Sequence, residues 1–124
     1  MRKITIAAAM LASLFATEAD ADEDAFTGEA FYTMCSGPVL RRYCLGYITG
    51  VGEGWNAAAG LHPELLALCP PENLTNGQAL DIVMRYLQGH PEQRRQLLRS
   101  HLVLAALLDA WACDAPADGT YRQR

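Results

Sequence analysis

Cysteine is the residue type with the most chemistry to offer in this chain, and its four copies are Cys35, Cys44, Cys69 and Cys113. Thiols can attack a substrate, ligate a metal or pair as disulfides. A metal site is not expected, because no Cys-x-x-Cys pair occurs and His62, His90 and His101 are far apart with no ligand spacing. Other nucleophiles are scarce: Ser36 and Ser100 are the only serines after residue 21, and no histidine stands at a recognisable spacing from either. Glu53, Glu64 and Glu72 form only a weak candidate for a carboxylate pair. The chain therefore reads as a binding protein that uses no cofactor, and not as an enzyme.

Whether the thiols pair depends on compartment. Arg2 and Lys3 form a basic start, Ile4 to Phe15 are mostly apolar, and Ala19-Asp20-Ala21 places small residues where a signal peptidase reads. Residues 1–21 are read as a secretory signal peptide cleaved after Ala21. The apolar run is shorter than the roughly 20 residues that a membrane span requires. An exported chain with four cysteines is expected to carry two disulfides, for which three connectivities exist. The formal charge is -4 at pH 7, a poor fit to nucleic acid, which calls for a basic stripe. Acidic residues concentrate at Asp22, Glu23 and Asp24, leaving Arg41, Arg42, Arg85, Arg94, Arg95 and Arg99 to the folded body, where they can face a partner.

The elements that must position these residues are helices. A short helix is expected from Phe26 to Met34, interrupted by Ser36-Gly37-Pro38. Leu40, Cys44, Tyr47, Ile48, Val51 and Trp55 recur at three- and four-residue steps, predicting a second helix over Pro38 to Ala59 with one buried face. Between Gly60 and Asn73, Leu65, Leu66 and Leu68 suggest a turn of helix that Pro70-Pro71 stops. Thr75 with Gln78 three residues on reads as a capping box opening a third helix that runs to Gln88. His90-Pro91-Glu92 starts a last helix running to Cys113, with Leu97, Leu98, His101, Leu102, Ala105, Leu108 and Trp111 on its buried side. No alternating strand pattern appears, so the class is all-α, a small disulfide-stabilised bundle of about four helices over residues 22–113. Residues 114–124 are expected to form a flexible tail.

Helix geometry ranks the disulfide connectivities. On one unbroken helix, the nine steps from Cys35 to Cys44 would leave them on opposite faces and roughly 13 Å apart, beyond disulfide reach. Gly37-Pro38 breaks the helix and lets them meet across a turn. Cys69 precedes the third helix and Cys113 ends the fourth, and two helices joined by so short a link must be antiparallel neighbours. This favours Cys35–Cys44 with Cys69–Cys113. The crossed alternative, Cys35–Cys69 with Cys44–Cys113, stays open if the Gly60 to Cys69 segment folds back along the second helix.

Gly46, Gly50 and Gly54 repeat every four residues along the second helix. Each costs roughly 0.8–1 kcal/mol against alanine in a helix, so the line needs a reason: close approach of another helix of the same subunit, or a groove for a partner or second copy. Arg94, Arg95 and Arg99 fall early in the last helix, where positive charge does not suit the helix dipole; they form either a solvated face or a contact with an acidic surface.

The string Cys44-x-Gly46-Tyr47-Ile48-x-Gly50, then Cys69-Pro70, then Thr75-x-x-Gln78, then Tyr86-Leu87-x-x-His90-Pro91-Glu92, and a closing Cys113, resembles the Rap/Tai immunity proteins. The likeness runs from about Phe31 to Cys113; Ala112 departs from it, standing where a proline commonly precedes the last cysteine. The resemblance implies a periplasmic helical protein, often a homodimer, that binds and inhibits a peptidoglycan amidase effector of a type VI secretion system. On that reading the partner-binding candidates are His62 and Glu64, on a connection that can project into a cleft, and the region carrying Arg94, Arg95 and Arg99. A different class, a periplasmic acid-stress chaperone, would instead suppress aggregation of unfolded proteins at low pH.

Overall fold

A computed structural model of the chain describes residues 23–114. The expected signal peptide and residues 115–124 of the expected tail lie outside the described residues. A single 3-10 turn, Glu23–Phe26, leads into five helices: α1 Gly28–Cys35, α2 Arg41–Leu61, α3 Asn76–Gly89, α4 Pro91–Gln96 and α5 Arg99–Trp111. The class is all-α as expected, and among the described residues the only extended pairings are two isolated antiparallel bridges, Thr27 with Leu98 and Leu68 with Ala112.

Local chemistry sets most boundaries. Thr27 caps α1, its Oγ1 accepting from the Ala30 amide at 3.2 Å, so the helix starts at Gly28 and not at Phe26. The Thr75 capping box forms in full: the Gln78 amide donates to Thr75 Oγ1 at 3.2 Å and the Thr75 amide donates to Gln78 Oε1 at 2.9 Å. Leu65 to Leu68, expected to make a turn of helix, does not. Asn56 on α2 captures both backbone groups of Leu68, which is then held straight against Ala112.

The last expected helix is two. Leu97 and Leu98 are extended, with ψ of 154° and 144°, and separate α4 from α5. The competing attraction is α1: the Gly28 N–H, one of the amides that a helix start leaves without a partner, donates to the Leu97 carbonyl at 2.9 Å. The break turns Leu97 and Leu98 outward, 40% and 48% exposed, and resets the phase of α5. The buried face of α5 is Leu102, Val103, Ala106 and Leu107, none more than 3% exposed, while His101 faces solvent. Of the stripe expected from the sequence, Leu102 alone is fully buried.

The core joins this face to Phe31 of α1, Cys44 and Ile48 of α2, and Leu80, Val83 and Leu87 of α3. The α1 approach to α4 and α5 is close enough to require glycine. A Cβ on Gly28 would lie 3.1 Å from the Arg94 Cα and 3.2 Å from its carbonyl oxygen, and would collide with the Leu102 side chain.

The disulfides are Cys35–Cys44, across the turn between α1 and α2, and Cys69–Cys113, which holds the entry to α3 beside the exit of α5. Backbone hydrogen bonds reinforce the second: the Cys69 amide donates to the Trp111 carbonyl at 2.7 Å and the Cys113 amide to the Ala67 carbonyl at 2.9 Å. Chain-entropy reasoning assigns roughly 2.7 kcal/mol to the short loop and about 4 kcal/mol to the long one. Ala112 has φ -53° and ψ 132°, a conformation that proline also adopts, and its own N–H closes α5 by donating to Leu108 at 2.9 Å.

Two outcomes follow from the packing. Gly28→Ala lowers the unfolding free energy by about 1–3 kcal/mol, read from the denaturant midpoint, because the obstructing atoms include backbone. Graded reduction with differential alkylation and mass spectrometry opens Cys69–Cys113 first, since Cys69 is exposed and the Cys35–Cys44 pair is buried; equal rates at both bonds would contradict this ordering.

Candidate functional site

The five polar residues expected to face a partner occupy separate places. His62 and Glu64 sit just beyond the C-terminal end of α2, largely exposed, with His62 Nδ1 and Glu64 Oε1 3.2 Å apart. The connection that carries them is braced from below. Trp55 Nε1 donates to the Leu66 carbonyl at 2.7 Å, the Asn56 side chain accepts from the Leu68 amide at 2.7 Å and donates to its carbonyl at 3.1 Å, and Cys69 is bonded to Cys113. The tip thus stands on a fixed base, flanked by Leu61 at 80% exposure.

Arg94, Arg95 and Arg99 differ in what they touch. Arg94 is turned inward with its side chain 13% exposed: Nε donates to Glu29 Oε2 at 2.9 Å, Nη1 to the Leu87 carbonyl at 3.2 Å, and the guanidinium lies 4.0 Å from the centre of the Tyr32 ring. It ties α4 to α1 and neutralises the carbonyl end of α3, so its donors serve the fold. Arg95 is exposed and paired with Glu92 one turn earlier on α4. Arg99 is half-buried where α5 begins, its guanidinium 5.0 Å from the Phe26 ring centre and 4.8 Å from that of Tyr47. Such contacts contribute roughly 0.5–1 kcal/mol each at exposed sites.

These groups do not converge on one site. From Tyr47, which holds Arg99, to Leu61, which precedes His62, α2 advances about 20 Å. Two surfaces therefore stand at different ends of α2. One is the braced tip around His62; the other is an open depression of about 370 Å³ lined by Phe26, Tyr47, Leu98, Arg99 and Ser100.

Gly46, Gly50 and Gly54 lie on the outward side of α2, where a Cβ at any of the three would meet nothing within 4 Å. Among the described residues no helix packs on them; the glycine of α2 that faces the core is Gly52, whose Cβ would touch Leu107 and Leu68 at ordinary distances. The features that sequence reasoning missed are Gly28 and the exposed Leu97–Leu98 pair. A search for the α5 face begun at Arg99 would have found 102, 103, 106 and 107 as a consistent stripe, and the leucines left over would have marked the break.

Among the described residues no three His, Cys, Asp or Glu side chains cluster as a metal site, and no helix is long and apolar enough to cross a membrane. Ser36 donates its hydroxyl to the Tyr32 carbonyl at 2.7 Å, and the His90 ring stacks on Tyr86 with Nδ1 2.6 Å from the Tyr86 carbonyl, so neither is arranged with the other for proton transfer.

No curated protein and no solved structure matches the chain. A family model does, that of the Rap1a immunity proteins, over residues 27–113, which takes in all five helices and both disulfides. From the cap of α1 to the last cysteine, this chain belongs to the Rap1a immunity protein family.

Proposed function

We propose that the chain is a periplasmic immunity protein that binds and inhibits a peptidoglycan amidase effector delivered by type VI secretion. The observation that carries the reading is the family match over the whole disulfide-bonded body. The physical character of that body supports it: a chain closed by two disulfides presents a braced tip and a fixed guanidinium, so little order remains to be imposed on binding. The signal-like residues 1–21 and the oxidised cysteines both favour an exported site of action.

The glycine line supports a second copy as a further partner. Along the outer face of α2, Tyr43, Gly46, Gly50, Gly54, Ala57 and Leu61, all exposed, follow at steps of three and four without a charge among them. Two such faces crossing antiparallel at Gly50 set Gly46 opposite Gly54 and Tyr43 opposite Ala57. Large thus meets small at Tyr43, and the surface is complementary to itself, as a twofold dimer requires.

Both parts are testable. Cells exporting a cognate peptidoglycan amidase effector are expected to lyse, to be rescued by the full chain, and not to be rescued by a chain lacking residues 1–21, although the latter, purified and oxidised, inhibits the amidase stoichiometrically in solution. Rescue without residues 1–21 would remove the periplasmic assignment. For the dimer, Gly50→Ala adds a methyl into open space and raises monomer stability by about 0.5–1 kcal/mol through helix propensity, whereas Gly50→Glu halves the mass measured by light scattering; an unchanged mass would eliminate this face.

A further inference from the structure

The geometry points to the depression at the start of α5 as a docking surface for one kind of effector segment: a loop presenting a carboxylate beside an apolar side chain, with the carboxylate received by Arg99. The inference rests on the immunity reading and specifies the contact. Its starting point is the contrast among three arginines close in sequence. Arg94 and Arg95 each have a carboxylate of this chain, Glu29 and Glu92, whereas Arg99 has no ion pair and its guanidinium donates to no protein acceptor among the described residues. An arginine fork carries five N–H donors in a plane that matches a carboxylate.

An unpaired surface arginine ordinarily samples many rotamers, and a partner must immobilise it. Arg99 is already held by two rings, Phe26 on the turn before α1 and Tyr47 on α2, so that ordering cost is met before a partner arrives. Both rings lie beside the guanidinium, and among the described residues none of its N–H groups donates to a protein acceptor, so these donors remain for a ligand. On a protein of net charge -4, a held cation with no carboxylate partner among the described residues is complementary to a carboxylate.

The surroundings are apolar. Phe26 is 57% exposed, and Leu97 and Leu98 stand outward because the Leu97 carbonyl is bonded to Gly28. Leu98 lines the depression, so the break that completes the α1 packing also sets an apolar side chain beside Arg99. Arginine and tyrosine are among the residues enriched in energetically dominant contacts, and here Arg99 and Tyr47 line the depression together. The commitment to a protein loop rather than a small anion follows from these apolar surroundings, which an inorganic ion would leave exposed.

The test measures binding of a purified cognate amidase effector, its nucleophile replaced, to the oxidised chain without residues 1–21. Arg99→Glu is expected to weaken binding about a hundredfold, Leu98→Asp about tenfold, and Arg99→Lys by an intermediate factor because it keeps charge but loses the fork. Gln88→Ala, exposed on α3, stays within about threefold of the unaltered chain, and the association rate of the unaltered chain falls more steeply with salt than that of Arg99→Ala. Far-UV circular dichroism and the melting midpoint accompany each variant. If Arg99→Glu fails to fold, Leu98→Asp decides the matter, since its side chain already faces solvent. Binding by Arg99→Glu or, in that case, Leu98→Asp within about threefold of the unaltered chain overturns this surface and leaves the immunity reading standing. No binding by the unaltered chain overturns both.

Discussion

The Gly28 amide and the Leu97 carbonyl, 2.9 Å apart, lie at the crossing on which the rest of the molecule depends. A helix start leaves amides that need acceptors, and here one is satisfied by breaking another helix open. Continuing α4 into α5 would keep Leu97 within a regular ladder and leave Gly28 without its partner. The same crossing explains why position 28 has no side chain and why Arg94, directly beneath, is drawn into contact with Glu29 and Tyr32. Packing, break and exposed patch follow from one close approach.

Much of the fold was legible because its signals are local. The Thr75–Gln78 box, the Pro91 start and the periodic face of α2 around Cys44 and Ile48 each depend on residues within a few positions, and each appears as the sequence implied. The disulfide pairing was legible for a related reason: the Gly37-Pro38 turn and the order of the helices left few ways for the cysteines to meet. What escaped was set by partners distant in sequence. Nothing near Leu97 announces that Gly28 will claim its carbonyl, and nothing near Leu65 announces that Asn56 will straighten the segment after it.

The candidate site divides in the same way. Its residue types were readable, and their grouping was not. Arg94 and Arg99 look alike in the sequence, five positions apart in one basic stretch, yet one is enclosed by the fold and the other is held open by two aromatic rings. The glycine line was conspicuous but ambiguous, since close packing within the subunit and an external contact both ask for small residues. Among the described residues nothing lies within 4 Å of a Cβ at Gly46, Gly50 or Gly54, so close packing within the described body does not account for them.

The bond between Cys69 and Cys113 has a mechanical meaning as well as a thermodynamic one. It closes residues 69–113 into a covalent ring that contains α3, α4 and α5. Tension applied to the chain beyond Cys113 passes through sulfur to Cys69 and on to the segment braced by Trp55 and Asn56, bypassing the three helices. A processive unfoldase engaging that end would meet a loop that it cannot draw through as a single strand. While the bond is oxidised, more than a third of the chain is out of reach of force from that direction.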